Sequence, residues 1–235
     1  MTCVDDQTAR LTRWPHDSGL EEDTLVIFVS DHGDMNGEYG LHYKSSYYEA
    51  SMHVPCIMRY PATIKAGTTV DQLIDPSIDL MPTILDVCSV AVPAHLRGRS
   101  LKQAMTAGHD ASLPAHVLYQ LPSVSEQACA VLDVQECKRY AERGLRTKQY
   151  LYVEKCKVPF ALFDLKADPH EKYNCVNNVD YVDVVESMRC RLHEVMEAVG
   201  DDWSAEASEP PPGYHTHEEG KAITKAIRQR AVYEK

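Results

Sequence analysis

The chain has 235 residues, with 24 Lys and Arg against 35 Asp and Glu, for a formal net charge of −11. Its 44% hydrophobic and 25% charged residues are the composition of a folded globular chain, long enough for one large domain or one and a half. Acidity without a basic block argues against a nucleic-acid partner, and no apolar run approaches the roughly 18–20 residues of a membrane span.

Residues 1–13 read as a helix with Val4, Thr8 and Leu11 on one face, stopped by Trp14-Pro15 and lacking an N-cap. The opening Met1–Asp6 has neither the basic nor the apolar region of a signal peptide, and localisation stays open. Leu25–Val29 is an unbroken β-branched and apolar run, the pattern of a strand buried on both faces among parallel neighbours. Ser46-Tyr-Tyr-Glu49 reads as a capping box opening a short helix. A strand is expected at 54–60, another at 69–74, and a helix over 79–87 with Asp79 near its cap and Pro82 in its first turn. Residues 102–140 give no clear pattern. Segments 145–154 and 160–165 predict a hairpin with a connection longer than a tight turn. Residues 179–199 predict a long helix with Val185, Met188, Leu192, Val195 and Val199 on one face. Pro210–Gly213 reads as a stiff linker, and Thr216 and Glu219 cap a final helix carrying Ile223 and Ile227. The eight cysteines, at 3, 56, 88, 129, 137, 156, 175 and 190, form no Cys-x-x-Cys pair and read as free thiols.

The polar cluster Ser30-Asp31-His32-Gly33-Asp34 follows the 25–29 strand directly, at the end where open α/β sheets bind their ligands. A carboxylate oxygen from Asp31 and an imidazole nitrogen from His32 suit a divalent cation. Lys44 stands in a loop that otherwise holds Asp34, Glu38 and His42, where it could help neutralise an anionic ester. The same residues also read as a solvated polar loop with His32 bonded to backbone. His42 and His53 read as loop or packing histidines, and His215 and His217 as a tail pair without a third ligand.

Between Thr24 and Leu101 the chain closely resembles the sulfatase family of the alkaline-phosphatase superfamily. The residues that carry this are the Asp23–Asp34 stretch, Gly40-Leu-His-Tyr-Lys44, Tyr48-Glu49, His53-Val-Pro55, Arg59-Tyr-Pro61, Asp79–Thr83 and Gly98–Leu101. Arg146-Thr147, Tyr150, Tyr152, Leu162–Leu165, Asp168-Pro169, Glu171 and Asn174 extend the likeness, and Val4–Gln7 with Arg10-Leu11 resemble the helix preceding the Ser-Asp-His-Gly strand.

The resemblance implies an α/β fold: the C-terminal part of an alkaline-phosphatase-like mixed sheet flanked by helices, over 1–115. A smaller α+β subdomain, a small antiparallel sheet with one long helix, is expected over 116–200, with linker and terminal helix over 201–235. It implies a sulfuric ester hydrolase acting on a sulfate-ester small molecule or glycan. Asp31 and His32 match two ligands of a divalent metal, calcium before manganese or magnesium, and Lys44 matches the lysine that contacts the sulfate and its bridging oxygen. The family's nucleophile is made from Cys or Ser in a Cys/Ser-x-Pro-x-Arg motif, and no residue here heads one: Cys56, Cys156 and Ser112 are followed by other patterns. The family's paired metal-binding aspartates are also missing, since Asp5-Asp6 lie in the first helix. The chain is therefore expected to be a fragment, inactive alone, whose partner is the missing N-terminal half of the catalytic domain. A phosphodiesterase or phosphonate monoester hydrolase of the same superfamily, or a non-catalytic truncated domain, are the alternatives.

Overall fold

The computed structural model describes residues 2–44, 46–121, 141–155 and 157–201. The linker and final helix expected beyond 201, with His215 and His217, lie outside the described residues. Helices and antiparallel sheets together make an α/β chain, and it falls into two units: residues 1–32 with 53–114, and 33–52 with 115 onward.

In the first unit, α1 runs Thr2–Asp17 and passes through Pro15 rather than stopping before it. A proline this close to the helix end forfeits one backbone bond, and the stop comes instead at Gly19, whose φ of 70° lets the chain turn left-handed. Val4 and Leu11, placed on one face of the helix, are 61% and 74% exposed.

Strand β1 (Val26–Val29) pairs antiparallel with β2 (Cys56–Arg59), from Val26 opposite Arg59 to Val29 opposite Cys56. The apolar run predicted parallel neighbours; among the described residues it belongs to a two-stranded antiparallel sheet. One face of that pair carries Met58, which joins Leu25 against a cluster of Leu101, Ala104, Met105 and Leu113. The other presents Phe28 opposite Ile57, and both are exposed. The run is thus apolar on two faces while this unit covers one.

Helix α3 (Pro76–Val87) begins three residues before the expected Asp79. Asp75 is the N-cap, its carboxylate accepting the Ser77 N–H at 3.0 Å, with Pro76 in the first helical position. Asp79 instead accepts the N–H of Asp75 and of Arg99, each at 2.9 Å, and so clamps the helix start to the following turn. Residues 69–74 form no strand; Val70 and Ile74 reach the same apolar cluster from irregular chain. Helix α4 (Lys102–Ala107) closes the unit.

The second unit is an antiparallel sheet in the order β3 (His116–Leu121), β4 (Glu142–Thr147), β5 (Tyr150–Lys155), β6 (Val158–Asp164). The segment 145–154, read as one strand, is divided by a turn at Lys148-Gln149, where the Thr147 hydroxyl accepts the Tyr150 N–H at 2.9 Å. After a single 3₁₀ turn at Val179–Tyr181, α5 runs Val182–Val199. Alternation along the strands gives the sheet two apolar faces. Leu145, Tyr152 and Leu162 pack under Met188, Leu192 and Met196 of α5. Leu151, Val153, Ala161 and Phe163 pack against Tyr47, Tyr48 and Met52, which explains why residues 33–52 belong to this unit. No described helix is long and apolar enough to cross a membrane. The described cysteines Cys3, Cys56, Cys88, Cys175 and Cys190 are free thiols.

Candidate active site

Beyond β1 the chain bends where the Ser30 hydroxyl donates to the His32 carbonyl at 2.7 Å. That bend brings two of the expected residues together. Asp31 Oδ1 accepts the His32 N–H at 3.0 Å, and its Oδ2 lies 3.5 Å from His32 Nε2. The Asp31 side chain is 85% exposed, so a cation could reach it without unburying anything. A hard carboxylate oxygen beside an imidazole nitrogen fits a divalent ion chemically, yet supplies two donors where calcium takes about 6–8. No group of three or more His, Cys, Asp or Glu suited to a metal occurs among the described residues.

Lys44 lies in the second unit, exposed, within the segment 33–52. Its local frame is well defined. At the segment's start Gly33 donates to the Ser51 carbonyl at 2.8 Å, and a Cβ at Gly33 would run into the Ala50 carbonyl, so only glycine permits the approach. Buried Met35 donates to the Tyr43 carbonyl at 2.8 Å, which pins the residue before Lys44. The Tyr39 ring stacks on Tyr48 with centroids 4.3 Å apart, and its hydroxyl donates to the His170 carbonyl. Burial and the nearby Glu171 carboxyl push the Tyr39 hydroxyl up to about 12, so it stays a donor. His42 and His53 are both exposed.

The capping box expected at Ser46 and Glu49 is not made. Helix α2 (Glu49–Met52) starts at Glu49, and the Glu49 N–H donates to Glu171 Oε2 at 2.9 Å instead of to the serine. The Glu49 carboxylate turns away to Arg146 of β4, which grips it with Nε at 2.6 Å and a second nitrogen at 3.0 Å. This pair is largely shielded, the two side chains being 16% and 20% exposed. Glu171 is buried, and its Oε1 has no hydrogen-bond partner among the described residues. Burial pushes its carboxyl up to about 7; the Glu49 and Asp168 carboxylates add to that, while the Glu49 N–H and Arg146 pull against it.

Glu49, Arg146 and Glu171 carry the family resemblance, but the sequence assigns them no role. They are separated by 97 and 122 residues along the chain, so no local spacing could pair them; only opposite charge hints at the first contact. Asn174 of the same resemblance is structural. It accepts the N–H of Leu162 and of Val176 and donates to the Phe160 carbonyl, stitching the loop after β6 to that strand.

Residues 37–198 match the family model described as "N-sulphoglucosamine sulphohydrolase, C-terminal". The N-acetylglucosamine-6-O-sulfatase of Bacteroides thetaiotaomicron is 28% identical over 208 residues, covering 85% of this chain and 35% of that protein. Among solved structures, one in complex with its substrate D-glucosamine-2-N,6-O-disulfate aligns with a TM-score of 0.75 at 27% identity, over 88% of this chain and 40% of its own. The phosphonate monoester hydrolase of Agrobacterium radiobacter aligns with a TM-score of 0.72 at 26% identity, over 83% of this chain and 39% of its own. The chain therefore spans between a third and two fifths of the length of each of these three relatives.

Proposed function

The chain belongs to the sulfatase family of the alkaline-phosphatase superfamily, as a C-terminal portion, and from that premise we propose that it contributes half of a metal-dependent sulfuric ester hydrolase site. The observation that carries this is the convergence of Asp31 and His32 at the end of β1. These two residues would hold one edge of a divalent cation of the calcium class. When bound, such an ion supplies positive charge where the ester's negative charge accumulates. Lys44 would contact the sulfate and the bridging oxygen, stabilising charge as the S–O bond breaks.

The nucleophile is not in this sequence, since no Cys or Ser heads the Cys/Ser-x-Pro-x-Arg motif. Neither Lys44 nor the Asp31–His32 pair replaces a covalent nucleophile. The partner is accordingly the N-terminal part of an alkaline-phosphatase-like catalytic domain. The exposed Phe28–Ile57 face of the β1–β2 pair supports this, because apolar residues opposite one another on an open strand pair are surface that a further layer would cover. A sulfate-ester glycan or small molecule would be the substrate, as the names of the relatives suggest. A second reading, phosphonate monoester hydrolysis, is favoured by the likeness to the phosphonate monoester hydrolase structures.

The test completes the chain with the N-terminal part of a relative and measures turnover of an aryl sulfate and an aryl phosphonate monoester. The sulfatase reading expects the sulfate to be the better substrate, Asp31→Ala to abolish metal-dependent turnover, and Lys44→Ala to lower the rate about 10²–10³-fold with metal still bound. Full activity in Asp31→Ala would remove the metal assignment, and preference for the phosphonate would favour the second reading.

A further inference from the structure

Glu171 concentrates three unfavourable features at one residue of the second unit. Its backbone sits in the left-handed region at φ 51°, which costs a residue with a side chain on the order of 1 kcal/mol. Its carboxyl group is buried, at 4% exposure. One of its oxygens, Oε1, lacks a hydrogen-bond partner among the described residues, although buried polar atoms are nearly always paired. Unfavourable features of this kind persist where the surroundings enforce them, and they concentrate at sites that do something.

The contacts say what Glu171 does. Its Oε2 takes the first N–H of α2, the helix whose Glu49 is held by Arg146. Helix α2 and the Tyr48 before it anchor the segment that carries Lys44, through the Gly33–Ser51 bond and the Tyr39–Tyr48 stack. One residue before Glu171, the His170 carbonyl accepts the Tyr39 hydroxyl. The 168–171 turn thus holds the segment at two points.

We propose that Glu171 is a proton-sensitive positioning residue: its carboxyl group fixes the start of α2, and gain or loss of its proton changes how the 33–52 segment bearing Lys44 is seated on the sheet. The groups facing it are Glu49 of α2, Arg146 of β4, Asp168 of its own turn, and Tyr39 and Tyr48 of the segment. His170 is its sequence neighbour, and Lys155 of β5 reaches the Tyr47 ring on the same face. Two of these carboxyl groups, Glu49 and Asp168, stand against the Arg146 guanidinium. Neutralising Glu171 relieves repulsion and the cost of an ionised oxygen without a partner; ionising it near neutrality restores both. Any effect on turnover rests on the Lys44 reading above, whereas the titration itself does not.

Backbone amide NMR of the whole 235-residue chain between pH 4 and 9 tests this, because the Glu49 N–H points at the titrating group. The Glu49 amide resonance should titrate with a midpoint near 7 rather than the usual 4.5, and Gly37 and Tyr43 amides should follow it. Glu171→Gln should abolish that transition, and His170→Asn should leave it in place. A Glu49 midpoint near 4.5, a transition that His170→Asn removes, or Gly37 and Tyr43 amides that do not move would each overturn the proposal. If Glu171→Gln fails to fold, the wild-type and His170→Asn titrations decide it. In the completed enzyme, a Lys44→Ala variant with undiminished rate would remove the Lys44 reading and leave this titration standing.

Discussion

The two units handle apolar surface differently. In the second, both faces of the β3–β6 sheet are covered from within the unit, one by α5 and the other by Tyr47, Tyr48 and Met52. In the first, a single cluster under β1, β2 and α4 is covered, while Leu11, Trp14, Phe28, Ile57 and Met81 are all exposed. The second unit has the layers that an independently stable domain needs; the first is a layer still facing solvent. Stability should therefore reside in the second unit, and association in the first.

The largest effect expected from that contrast is at Leu192, which is fully buried between α5 and the sheet. Leu192→Ala should lower unfolding free energy by about 2–5 kcal/mol, read by urea denaturation. A loss well under 1 kcal/mol would mean the second unit's core is not what holds the chain together. Next comes Arg146→Ala, which strands the shielded Glu49 carboxylate at a cost of roughly 3 kcal/mol. Arg146→Ala with Glu49→Gln should recover part of that loss, as a double-mutant cycle would show.

A third effect is pH-dependent, and it sharpens the contrast because it belongs to the second unit alone. The folded Glu171 carboxyl titrates near 7, above its usual 4.5. Protonation therefore favours the fold, so this group's contribution is full below about 4.5, is lost as pH rises to about 7, and is flat beyond. Each tenfold change in proton affinity is worth about 1.4 kcal/mol, so the loss is on the order of 3 kcal/mol. Stabilities of wild type and Glu171→Gln, from thermal melts across pH 5–8, should diverge by most of that amount; parallel curves would contradict it. The smallest effect is expected at Phe28, where Phe28→Ser should change stability by about 0.5 kcal/mol or less and reduce self-association. A loss of several kcal/mol there would show that Phe28 is buried in solution and that the first unit is self-sufficient.

Much of this was legible in the sequence, and the misses have separate physical causes. Strand β1, α3 and α5 follow from local pattern, because apolar periodicity and capping residues act within a few positions. The early Trp14-Pro15 stop for α1 failed because proline position relative to the helix end, not its presence, decides the cost. The hairpin turn at Lys148-Gln149 carries no Gly or Asn, so alternation ran on through it. Asp31 and His32 were readable as neighbours, since a strand end delivers consecutive polar residues to one place. Burial of Glu171 and its grip on α2 were not, because a contact across 122 residues leaves no local mark.

The most direct measurement is turnover of an aryl sulfate by the purified 235-residue chain, with calcium, magnesium or manganese added, alone and after supply of the N-terminal part of a sulfatase relative. The expected result is no turnover by the chain alone, with activity appearing on completion and disappearing in Asp31→Ala. Metal-dependent turnover by the chain alone would contradict the half-site account and require a nucleophile among the residues already present.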